Sequence, residues 1–186
     1  MGTGFMPGRI WSLHRLRSQA LVHAARTAVA AMVSLLTARL CTLPEAYWAA
    51  VTTLIVMQSD LGAALTVSVR RFAGTALGVC LGALFASYFG PNLLAFGAAI
   101  FLLGLLCAVL GRAHRRLPQY LDRTAYRYGG IALAIVMLVV RYNSPWIAAL
   151  HRFIEVSIGI MVGLVVTILW PERQPQAGAP PVSAER

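Results

Sequence analysis

The sequence predicts an all-α membrane protein, a six-transmembrane-helix bundle whose helices are candidates for two inverted three-helix repeats. Three observations carry this. The chain is 59% hydrophobic and its mean hydropathy is +0.72, above the soluble globular range. Most of its apolar runs are roughly 18–20 residues long, which matches a hydrocarbon core of about 30 Å at about 1.5 Å per helical residue. Arginines and turn residues stand at nearly every joint between runs. With 186 residues there is room for one compact domain, and six spans with short loops use most of it.

The elements follow in order. Residues Gly8 to Gln19 are basic with Ile10, Trp11, Leu13 and Leu16 interleaved, so residues 1–19 read as a cytoplasmic segment lying in the membrane interface. The first span is Ala20 to Leu40. It carries Arg26 and is too long for the apolar core of a cleaved signal. Pro44 opens a short second span, Glu45 to Gln58. Gln58, Ser59, Asp60 and Gly62 then interrupt the pattern before it resumes to Val69, which leaves two readings: a short span with an interfacial connector, or a broken helix. The third span is Phe72 to Phe89, stopped by Gly90-Pro91-Asn92, and the fourth is Leu93 to Leu110. A basic loop, Gly111 to Arg127, leads to a fifth span, Tyr128 to Val140. The sixth, Phe153 to Trp170, stops at Pro171. The membrane domain is thus 20–171, and 172–186 reads as a disordered cytoplasmic tail rich in Pro, Gln and Ala.

All sixteen basic residues are arginine, against six acidic ones. A charge of +10 on a soluble chain would raise nucleic acid as a partner. Here the arginines flank spans, so membrane lipids are the expected partner and nucleic acid is not. Most fall on the side that holds the N-terminus, which puts both termini in the cytoplasm. Trp11, Trp48, Trp146 and Trp170 fall at span ends, as interfacial anchors do. Cys41, Cys80 and Cys107 have no metal-ligand spacing, and none of the four histidines has a second ligand at helical spacing. No metal, no cofactor and no catalytic residue is expected. No nucleophile–base pair or phosphate-binding loop is present, so an enzyme is not expected.

Arg71-Phe72 is followed by Gly78 and Gly82, and Arg152-Phe153 by Gly159 and Gly163, at the same spacing. Ile55-Val56-Met57 and Ile135-Val136-Met137 match in the same way. Spans two and three therefore align with five and six, an arrangement that places a transporter's site at the repeat interface. Gly74, Gly78 and Gly82 share one helix face, as do Gly159 and Gly163, and such faces let helices pack closely in lipid.

The charged residues at membrane depth are the candidates for function. An arginine at the centre of a span costs about 2.5–3.5 kcal/mol on insertion scales. Arg39 is near a span end and can snorkel, whereas Arg26 lies about 9 Å in. Asp60 is the expected partner of Arg26, and Glu155 of Arg39 or Arg152. Two readings stay open: structural ion pairs, or guanidinium groups lining a wet anion pathway.

The stretch from Pro44, Tyr47 and Trp48 to Met57-Gln58, followed by Arg71, Gly74, Thr75 and Gly78, resembles the membrane module of the fusaric acid resistance protein-like family, which overlaps the aromatic acid exporters. Arg152, Glu155, Gly159 and the Trp170-Pro171 stop also fit. The resemblance covers about residues 20–172 and implies a six-span inner-membrane module that exports aromatic carboxylates or other organic anions. The family is also distantly similar to the aluminium-activated malate transporters, in which two six-span subunits form an arginine-lined anion pathway. That likeness places Arg26, Gln58 and Arg71 near an ion route and implies a homodimer, with a periplasmic adaptor or other efflux components as further partners. The pathway candidates are then Arg26, Arg39, Gln58, Asp60, Arg71, Arg152 and Glu155. A non-transporting scaffold or accessory subunit, and an anion channel, remain as alternatives.

Overall fold

The computed structural model of the chain describes residues 8–58, 60–113, 123–139 and 144–171. The described residues form six α-helices: α1 (Gly8–Leu40), α2 (Tyr47–Val56), α3 (Leu61–Phe89), α4 (Leu93–Ala113), α5 (Arg123–Leu138) and α6 (Pro145–Leu169). Four of them, α1 from Ala20, α3, α4 and α6, are long and apolar enough to cross a membrane, while α2 and α5 are shorter apolar helices.

Four boundaries differ from the sequence reading: α5 begins at Arg123, inside the expected basic loop, rather than at Tyr128, and three others differ for a physical reason. The segment 8–19 is not separate, since α1 runs through it without a break. The interruption at Gln58–Gly62 ends α2 and starts a new helix: the Asp60 side chain accepts the Ala63 N–H at 2.9 Å, an N-cap. From there α3 continues for 29 residues, about 43 Å, straight through Arg70-Arg71. The apolar run to Val69 and the expected third span are therefore one helix, and Arg71 sits about 15 Å along it rather than at a mouth. Likewise α6 begins at Ser144-Pro145, with proline in its first turn. Arg152 and Glu155 thus lie about 10 and 15 Å into that helix, not in its first turn. The tail 172–186 lies outside the described residues.

Helices α2, α3, α5 and α6 form the centre. The most extensive contacts are α3 on α5, α3 on α6 and α2 on α6. α1 lies against α2 and α6, and α4 against α5 and α3. α1 buries Arg26, Ala30, Ser34 and Ala38, one residue per turn, so a single narrow stripe faces the bundle. Met32, Leu36, Leu94 and Phe101 on α1 and α4 point outward and are more than half exposed, as expected of surfaces that face acyl chains. A core of Ala95, Ala99, Leu103, Cys107, Leu133 and Met137 joins α4 to α5.

The expected glycine faces are the central joints. A Cβ on Gly78 would strike the carbonyl of Gly129 on α5, and one on Gly74 that of Ala125. A Cβ on Gly159 would strike the carbonyl of Ala49 on α2, and Gly163 lies against Thr53 and Val56. Main chain meets main chain at both crossings, which only glycine permits. Thr53 fastens the second crossing: its hydroxyl lies 3.0 Å from the carbonyls of both Ala49 and Gly159.

Candidate functional site

Arg71 on α3 and Arg152 on α6 meet at the centre. Each is about 95% buried, and both line one cavity with Trp48, Thr75, Tyr128, Ile131 and Ile135. The Arg71 guanidinium stands over the Tyr128 ring at 5.0 Å and donates from Nη2 to the Thr52 hydroxyl at 3.0 Å. The Arg152 guanidinium lies 3.9 Å over the Trp48 ring, so Trp48 serves as its cation–π floor. Nη1 of Arg152 meets Glu155 Oε2 at 3.3 Å, one turn away on the same helix. Glu155 Oε1 accepts the main-chain N–H of Glu45 at 3.2 Å.

The two cations differ in what neutralises them. Arg152 has the Glu155 carboxylate, and Glu45 lines an adjoining cavity with both. Among the described residues Arg71 has no carboxylate within salt-bridge distance; its partners are a hydroxyl and a ring. Four buried donors here have no hydrogen-bond partner among the described residues: Nε of Arg71, Nε and Nη2 of Arg152, and Nε1 of Trp48. An unsatisfied buried donor costs about 1–3 kcal/mol, so the arrangement needs an explanation. All four belong to residues that line the same cavity, and what they lack is an acceptor. The cavity and its neighbour measure about 10 Å³ each, the space of one water. In this conformation the helices are closed around the guanidinium groups.

The remaining candidates do not join this cluster. Arg39 and Asp60 are exposed, and the Asp60 carboxylate serves the α3 N-cap. Arg26 is fully buried, and two of its hydrogen bonds go to main-chain carbonyls: Nη1 to Trp170 O at 2.8 Å and Nη2 to Gln58 O at 2.6 Å. These are the carbonyls just past the ends of α6 and α2, where a cation meets both unsatisfied acceptors and the negative ends of two helix dipoles. Arg26 is a clasp between helix ends. Arg26→Ala is therefore expected to destabilise the bundle by about 3 kcal/mol, the loss of two charge-assisted hydrogen bonds, read as a lowered Tm in detergent. Unchanged thermal stability would show that the clasp carries no load.

Thr52 and Tyr128 were not singled out from the sequence. A signal for Tyr128 was present: it follows Trp48 at the interval that separates Ile55 from Ile135. This interval of 80 residues, together with one of 81 that carries α3 onto α6, relates further contacts. Gly78 against Gly129 answers to Gly159 against Ala49, and Gly82 against Leu133 and Val136 answers to Gly163 against Thr53 and Val56. Arg71 over Tyr128 answers to Arg152 over Trp48.

The family model described as fusaric acid resistance protein-like matches residues 23–166, and this range contains every residue of the cluster. The chain belongs to the fusaric acid resistance protein-like family. Among curated proteins, the inner membrane protein YeeA of Escherichia coli (strain K12) is 31% identical over 166 residues, covering 84% of this chain and 43% of that protein. The chain thus spans less than half the length of this relative. No solved structure matches the chain. The family motif residues divide by position: Thr75 and Trp48 line the cavity, while Pro44 and Tyr47 are exposed at the α2 entrance.

Proposed function

We propose that this family member exports organic anions, aromatic carboxylates among them, across the bacterial inner membrane, and that Arg71 and Arg152 form its anion site. The observation that carries the reading is the set of four unpartnered buried donors around one cavity, with a guanidinium that has no carboxylate of its own. A buried cation of this kind is costly to keep, and at membrane depth it marks an ion route. A planar guanidinium suits a carboxylate, which it can hold through two parallel hydrogen bonds. The name of the E. coli relative supports an inner-membrane location.

The repeated contacts support an inverted repeat in which α2 and α3 correspond to α5 and α6, with α1 and α4 as the flanking helices. The site then lies where the halves meet, as in other transporters built this way. With only one water's space at the guanidinium groups, substrate entry requires the halves to part, which favours a carrier over an open channel. A homodimer, efflux partners in the periplasm and cytoplasmic termini belong to the same proposal. The scaffold alternative loses its support, because the glycine faces it would use are covered inside the chain.

Reconstitution tests the reading. Proteoliposomes loaded with benzoate should show saturable efflux that a neutral analogue, benzamide, does not share. Absence of saturable benzoate flux overturns it, and unitary currents in place of slow saturable flux would replace the carrier with a channel.

A further inference from the structure

Under the intervals that relate the two halves, 81 residues for α3 onto α6 and 80 for the α2 region onto α5, Glu155 on α6 falls opposite Gly74 on α3, and the Glu45 it contacts falls opposite Ala125. The paired contacts hold in space: Gly74 packs on the main chain of Ala125, and Glu155 binds the main-chain N–H of Glu45. The Arg152 half therefore carries a carboxylate at the position where the Arg71 half carries nothing beyond a backbone. Glu155 is about 99% buried and one of its oxygens is on Arg152. Glu45, also buried, lines the cavity on that side. The protein supplies negative charge to one end of the site and withholds it from the other.

Resting on the anion-site reading above, we infer that Glu155 is a specificity determinant: a resident carboxylate that takes one end of the Arg152 guanidinium and limits the ligand to one carboxylate, held between Arg71 and the remaining Arg152 donors. A monocarboxylate at Arg71 neutralises the guanidinium of this pair that has no carboxylate partner among the described residues. A dicarboxylate must place its second charge beside Glu155 and Glu45, where burial strengthens like-charge repulsion, or it must displace Glu155 and leave that carboxylate buried without its cation. Selectivity then comes from a repulsive group as well as an attractive one. Arg152 gives Nη1 to Glu155 and keeps Nε and Nη2 for the same single carboxylate that Arg71 holds.

Benzoate and isophthalate share a ring and differ by one carboxylate, so equilibrium binding of each to the purified full chain in detergent reads the effect. Wild type is expected to bind benzoate at least about tenfold more tightly than isophthalate. Glu155→Gln should tighten isophthalate by at least about tenfold more than it tightens benzoate, reversing or abolishing the preference, while Glu155→Asp keeps it. Should Glu45 take over the released guanidinium, the double variant E45Q/E155Q shows the gain instead. The inference is overturned if wild type binds the two anions equally, if neither variant gains isophthalate, or if no protein binds either anion. Wild-type preference is measured without any substitution, so a variant that fails to fold still leaves a decisive result. Selective binding without flux in proteoliposomes would uphold the role of Glu155 and remove the transport reading alone.

Discussion

Arg71→Gln is expected to lower saturable benzoate efflux by at least about tenfold, through loss of the charge that holds the carboxylate, and to raise the Tm of the protein. The two outcomes together distinguish a ligand site from a structural cation. Glutamine keeps a polar end near the Thr52 hydroxyl and removes a charge that is 95% buried with no carboxylate partner among the described residues. The lost cation–π contact with Tyr128 is worth about 0.5–2 kcal/mol. The relief of burying an uncompensated charge is several kcal/mol in the opposite direction. A gain in stability with a loss of activity is the mark of a site maintained at a cost to the fold. A fall in Tm with flux retained would assign Arg71 to architecture.

Gly78→Ala is expected to destabilise the bundle by about 3 kcal/mol or more, beyond the usual range for overpacking. The new methyl would meet the carbonyl, carbonyl carbon and Cα of Gly129. All three are main chain, so no rotamer change can relieve the clash, and α3 must separate from α5. Gly97 on α4 is the control, since nothing lies within 4 Å of a Cβ placed there. Gly97→Ala should be neutral or gain a few tenths of a kcal/mol from helix propensity. Thermal unfolding of both variants in the same detergent makes the comparison, and similar Tm values would mean the α3–α5 crossing is looser than its geometry.

Much of this architecture is legible in the amino-acid pattern because apolar runs, prolines and glycines act locally. The first and fourth spans, the short second helix and both glycine faces are read from spacing alone. The misplaced starts of α3 and α6 share a cause. Arginine marks a joint in the sequence pattern, yet Arg71 and Arg152 lie within helices, where an aromatic ring or a hydroxyl from another helix, and for Arg152 a carboxylate one turn along its own, receives them. Local signals for the true starts existed, in Asp60 as an N-cap and in Ser144-Pro145. Arg26 was legible as a costly residue but not as a clasp, because its acceptors are main-chain carbonyls that any sequence possesses. The convergence of Arg71, Arg152, Trp48 and Tyr128 is legible only once the repeat interval is applied to aromatic positions as well as to glycines.

The brevity of α2 has a consequence for the chain's path. Ten helical residues cover about 15 Å, half of an acyl layer about 30 Å deep. The first turn of α2, at Trp48, lies beside the central arginines, and the helix uncoils at Met57-Gln58 level with the end of α6, where the Trp170 carbonyl shares Arg26 with that of Gln58. Donors from the first helix reach that point and quench both Gln58 and the end of α6. The level at which the second helix stops is thus tied to the end of the sixth by a side chain some thirty residues upstream, and α2 covers only the stretch from the central site to that level.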